Sequence, residues 1–169
     1  MSLSLKKEKM IEYLEGAKAQ DENFRCMLWG TVYAKFSSFQ NRSATSWVMA
    51  FTPAPGVAGS LNNAFCYIGL TEKSLYVIAL DAYNTARITG TFALAFANIT
   101  SLKVRKALLG GSHTVEIESG DFIRLTVKGI SLGTDIKDQK ERMAGFLAEI
   151  EALQSSIHTL PTVHNLRSR

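Results

Sequence analysis

The chain has 169 residues, 46% hydrophobic and 20% charged, with three prolines; this excludes a long Pro-rich linker and leaves room for one domain with an appendage. The formal charge of +4 sits at the ends: Lys6, Lys7, Glu8 and Lys9 contribute +2, Arg167 and Arg169 another +2, and residues 10–166 are neutral. That placement argues against a nucleic-acid partner, which needs basic charge on a folded face, and no run reaches the roughly 18 apolar residues of a membrane span.

Residues 4–19 predict a short amphipathic helix. Met10, Ile11, Leu14 and Ala17 fall on one face at helical spacing, and a helix this short needs a surface to pack on. The N-terminus has basic residues but no apolar core before a small-residue cleavage site, so it does not read as a signal peptide. Residues 24–36 change to period two, the mark of a strand. Phe24, Cys26, Leu28, Val32, Ala34 and Phe36 share one parity, and the other mixes Arg25, Thr31 and Lys35 with Met27, Trp29 and Tyr33. Gly30 in mid-strand suggests a bulge or a bend. A second strand is expected over 44–52, then a breaker-rich loop over 53–63.

Residues 64–70 and 75–80 are two apolar runs separated by Thr71-Glu72-Lys73-Ser74. Their aromatic and β-branched content disfavours one long helix, so they predict a hairpin. Residues 86–108 alternate again, with Phe92, Leu94 and Phe96 opposing Ala93, Ala95 and Ala97. A kink near Asn98 leads into Leu102 and Val104, which oppose Lys103 and Arg105, as one bent strand or two. A turn over "LLGGSH", residues 108–113, precedes a clear hairpin: Val115 and Ile117, a turn at Ser119-Gly120-Asp121, then Ile123, Leu125 and Val127. From Thr134 the period is helical. Ile136, Met143, Ile150 and Ile157 recur every seven residues, Phe146, Leu147 and Leu153 widen the stripe, and Thr134 or Asp135 can cap the start.

The expected division is an N-terminal helix over 1–22, a domain over 23–157 and a flexible basic tail over 158–169. The order is a short helix, seven or eight antiparallel strands and one long helix, and the absence of interposed helices excludes a βαβ sheet. This mostly β architecture resembles the pleckstrin-homology (PH) fold, a seven-stranded antiparallel bent sheet or partly open barrel capped by a C-terminal helix. Residues 24–153 look like a bacterial branch of that superfamily, through "YIGLTEKSLYVI", "FALAFANITSLKV" and the glycine-turn hairpin "VEIESGDFIRLTV". The resemblance implies a binding or assembly module rather than a catalyst. In relatives that bind inositol phospholipids, a lysine near the end of the first strand pairs with two alternating basic residues in the second. Lys35 and Arg42 suit two of those places, but Ala44 stands at the third, which argues against phosphoinositide binding.

Other constellations favour structural readings. His113, His158 and His164 lie apart, with no metal-ligand spacing, and read as surface residues. Ser112 and His113 are adjacent on an extended segment and so point apart. "GISLGTD", residues 129–135, lacks the lysine of a P-loop and reads as a connector with a cap. Lys103, Arg105 and Lys106 form the one local basic group inside the fold. They either protect an edge strand or contact an anionic partner. Trp29, Tyr33 and Trp47 default to the core, or to an interface if exposed together. Cys26 and Cys66 read as free buried thiols of a reducing cytoplasm, with a disulfide left open. The expected function is a cytoplasmic, non-catalytic protein-binding or self-associating module without metal or cofactor. The alternative is peripheral binding to anionic membrane lipids through basic residues.

Overall fold

The structure, a computed structural model, describes residues 4–36, 60–130 and 133–159. Helix α1 (Lys7–Ala17) is followed by β1 (Cys26–Lys35), β2 (Ser60–Leu70), β3 (Ser74–Leu80) and β4 (Ile88–Ala95). A 3-10 turn at Phe96–Asn98 leads to β5 (Ser101–Lys106), β6 (Ser112–Glu118), β7 (Phe122–Lys128) and helix α2 (Gln139–Thr159). The strands form one open antiparallel sheet in the order β4-β3-β2-β1-β7-β6-β5. This is the order of elements that the sequence implies: a short helix, seven antiparallel strands and a long C-terminal helix. The ambiguous stretch 86–108 is two strands, and they form the two opposite edges of the sheet.

Alternation sets which face of each strand is buried. Leu28, Val32 and Ala34 of β1, Phe92 and Leu94 of β4, Val115 and Ile117 of β6, and Ile123, Leu125 and Val127 of β7 fill the main core at 1% exposure or less. Phe146 and Ile150 of α2 close it, with Met143, Leu147, Leu153 and Ile157 packed alongside. A second core lies on the opposite face, where Met10 and Leu14 of α1 cover Tyr67, Tyr76 and Ile78. Trp29 joins this second core, so the mixed parity of β1 reflects a strand covered on both sides. The surface that the short helix required is the outer face of β1–β3.

Several local expectations change. The strand expected over 44–52 lies outside the described residues, and the strand beside β1 is β2. The last four residues of the expected loop, 60–63, are already strand. Between Val32↔Ala64 and Ala34↔Leu61, Asn62 and Asn63 together oppose Tyr33 alone. Asn63 has φ +50°, a conformation that asparagine tolerates and that lets β2 bulge there. The bulge is therefore not at Gly30. A Cβ at Gly30 would sit 2.6 Å from the Thr126 carbonyl oxygen, so glycine there permits the close approach of β1 and β7. The predicted cap also changes. Asp135 does not start α2, which begins four residues later; its Oδ1 accepts from the Lys7 N–H at 2.6 Å and caps α1 instead. Leu5 is buried beside it and bridges to Thr134, so the Lys6–Lys9 run belongs to a docked helix rather than a frayed end.

Candidate functional site

α1 covers β1–β3 but stops short of the sheet edge. A groove of about 750 Å³ remains between the helix and β4. Thr91, Ala93 and Ala95, on the outer face of β4, floor it with Tyr76 and Ile78 of β3, and Tyr13 and Ala17 of α1 form its wall. Phe92 and Leu94 point the other way into the main core. The alternation of large and small residues in "FALA" thus builds core on one side and a shallow floor on the other.

A polar cluster closes one end of the groove. Glu22, only 7% exposed, accepts hydrogen bonds from the hydroxyls of Thr71 and Ser74, the latter at 3.5 Å. The Thr71 hydroxyl oxygen in turn accepts from the N–H groups of Lys73 at 3.2 Å and Ser74 at 3.0 Å. Lys73 pairs with Asp21 at 2.9 Å, and the Tyr76 hydroxyl oxygen accepts from the Ala19 N–H at 3.2 Å. "TEKS" is therefore a hairpin turn, with Ser74 already in β3, that also anchors the segment leading from α1 into β1. Glu22 was not singled out in the sequence, because only the fold brings it to a hairpin about 50 residues away.

Among the described residues β4 is an edge strand, with a neighbour on one side only. Its eight residues, "ITGTFALA", include no charge and no proline. The other edge, β5, carries Lys103, Arg105 and Lys106, all exposed. Arg105 pairs with Glu116 of β6 at 3.6 Å, and the same carboxylate takes Arg124 of β7 at 3.6 Å. The hairpin beyond β5 turns through Gly110 and Gly111, both at positive φ. Leu108 and Leu109 at its tip are 102% and 87% exposed.

The anticipated site residues do not converge. Lys35 ends β1 opposite Ser60 and Phe122, in the row of the sheet that ends at Ser101. Lys106 is five residues further along β5 and three strands away, about 17 Å along the strand direction alone. Arg42 lies outside the described residues, and β2, the strand beside Lys35, contains no basic residue. Trp29 and Tyr33 also separate. Trp29 is buried near Phe65, and Tyr33 packs against Phe122 and Arg124 on the outer face; Trp47 lies outside the described residues. The Lys6–Lys9 run is partly neutralised, by Lys7–Asp138 at 3.6 Å and Lys9–Glu12 at 2.7 Å.

His113 is half-buried with an unpaired Nδ1, and His158 is exposed in the last turn of α2. Among the described residues no group of three or more His, Cys, Asp or Glu could hold a metal ion, and no helix is long and apolar enough to cross a membrane. Cys26 and Cys66 are free thiols; Cys66 is buried as expected, whereas Cys26, at the start of β1, is only partly buried. Cys66 lies opposite Gly30, four positions from Cys26 along β1, roughly 13 Å and beyond disulfide reach.

No protein-family model matches the chain, and no curated protein matches it. Among solved structures, the chain is similar to the hSac2 domain of the human phosphoinositide phosphatase Sac2, at 9% identity and TM-score 0.45, over 89% of this chain and 80% of that one. It is also similar to the N-terminal PH domain of Vps36, at 15% identity and TM-score 0.42, over 85% of this chain and 86% of that one.

Proposed function

We propose that the chain is a non-catalytic binding and assembly module that holds a polypeptide at the free edge of β4. The observation that carries this reading is the groove beside an uncharged edge strand. An added strand would pair with the side of β4 that meets no other strand among the described residues, through Thr91, Ala93 and Ala95, while its side chains enter the groove between β4 and α1. Photo-crosslinking in the native host tests it. A photoreactive residue replacing Thr91 in the full chain is expected to capture a discrete polypeptide, and one replacing exposed Glu151 on α2 is not. Equal or absent capture at both positions would remove the reading.

A second reading rests on a different surface. The β5–β6 hairpin presents two fully exposed leucines above exposed Lys103, Arg105 and Lys106. An apolar tip with a basic collar suits the surface of an anionic bilayer.

A further inference from the structure

We infer that β4 pairs antiparallel with β4 of a second copy of this chain, joining two seven-stranded sheets across a dyad. The inference rests on the β4 edge being the binding surface, and it names the occupant. Charge decides between the two edges. Self-pairing of β5 would set Lys103, Arg105 and Lys106 against their own copies, whereas β4 brings no charge to the dyad. Shape points the same way. Ile88, 41% exposed, stands at the start of β4 on the groove side, opposite Leu80 of the second core. Ala93 and Ala95 lie at the other end of the strand on the same side. An antiparallel dyad lays the Ile88 end of each strand alongside the Ala93–Ala95 end of the other. The large residue of one copy then meets the shallow floor of its mate, as a self-complementary two-fold interface requires. Paired residues share a face, so the dyad falls on a residue such as Thr91 and pairs up to seven residues, a seam about 23 Å long, and the groove adds side-chain contact on one face.

Sedimentation equilibrium of the full chain tests this. The parent is expected at twice the 18.6 kDa chain mass. Thr91→Lys puts two ammonium groups beside the dyad and is expected to weaken the dimer at least about tenfold. Mixing Thr91→Lys with Thr91→Glu chains should restore association as a heterodimer. Circular dichroism checks that each variant is folded. Should Thr91→Lys not fold, Ile88→Ala replaces it, with an expected loss of about tenfold in dimer affinity. A parent of single mass at every concentration overturns the inference. So does a dimer indifferent to the folded variant, because its seam then lies elsewhere. A monomer whose residue-91 crosslinker still captures another polypeptide overturns the second-copy assignment and leaves the groove reading intact; a monomer without capture ends both.

Discussion

Gln139 substitutes for a peptide group. β1 and β7 are paired from Thr31↔Thr126 to Lys35↔Phe122, and on the other side of Thr31 they part. The fully buried Gln139 amide spans the gap. Its Nε2 donates to the carbonyls of Trp29 at 2.9 Å and Lys128 at 3.0 Å, and its Oε1 accepts from the Trp29 N–H at 3.3 Å. Gln139→Leu leaves three main-chain groups without partners and should cost about 2–3 kcal/mol, read as a lower urea midpoint at unchanged slope. Gln139→Glu should be worse at neutral pH, because a carboxylate presents an acceptor to two carbonyls. Burial among acceptors raises the folded-state pKa of that new carboxyl above its unfolded value. Its deficit is therefore smallest below about pH 4 and grows as pH rises. An acid-insensitive deficit would contradict this account. In the sequence Gln139 is one polar residue at the start of a helix; its role depends on where two distant strands separate, which no local pattern encodes. The cysteines were more legible, because their apolar surroundings are local. Burial pushes the Cys26 thiol up to about 11 and drives Cys66 in the same direction. The native state thus keeps protons that the unfolded chain releases near pH 9. Stability is undiminished below that pH and should fall as pH rises from 9 towards 11. The fall should shrink in Cys26→Ser and Cys66→Ala chains, measured by urea unfolding at pH 8 and 10.5.

At the scale of elements, α1 shows how far a hydrophobic period reaches. The spacing of Met10 and Leu14 identifies the helix and its buried face, and both side chains are fully enclosed. Eleven residues are too few to hold a helix alone in water, so its stability comes from the outer face of the sheet and from its cap. Lys6, at the N-cap position, makes no side-chain capping bond, and Asp135 supplies the acceptor from the other end of the sequence. Asp135→Ala should cost about 1 kcal/mol of stability, and Asp135→Asn, which keeps an acceptor oxygen, should recover most of it. Urea unfolding of the three chains measures both; an Asp135→Ala chain as stable as the parent would show that the bond contributes nothing. Strands whose inner face is uniformly apolar, such as β6 and β7, were read with nearly their true bounds. The start of β2 was not, because a bulge built from two asparagines looks like loop composition. Of the two edges, β5 is signalled by its basic residues and β4 is hidden. Alternation shows which face of a strand is buried, whereas the order of strands across a sheet is set by long-range pairing, so the difference between "ITGTFALA" and "SLKVRK" gains its meaning only once both are seen at the margins.

For the whole molecule, separation of surfaces matters more than net charge. The neutral edge and groove lie at β4, and the basic edge and leucine tip lie at β5, with five strands between them in the sheet. The tip's basic surroundings go beyond β5: exposed Lys128 ends β7 opposite Ser112, at the same end of the sheet as the tip. Lys35 is at the far end, so an anionic surface touching the tip would not be shared with it. The sequence places Leu108 and Leu109 in the turn over 108–113 but does not show their role; the signal is an apolar pair set directly before two glycines and after three basic residues. Burying two leucines contributes about 1.5–3 kcal/mol each, and each nearby lysine or arginine about 1 kcal/mol at an anionic surface. Arg105 is already paired with Glu116, and lost freedom on docking offsets part of that total, which leaves weak, reversible attachment. Cosedimentation with vesicles rich in phosphatidylserine at low salt is expected to pellet the parent chain, and not to do so with neutral vesicles. Leu108→Ser/Leu109→Ser should abolish most of the binding at any salt without loss of stability, since both side chains are already solvated. Lys103→Gln/Lys106→Gln should weaken it mainly at low salt, where the Debye length is long. A leucine double variant that pellets as well as the parent would remove the membrane reading and leave β5 as an edge protected by its own charge.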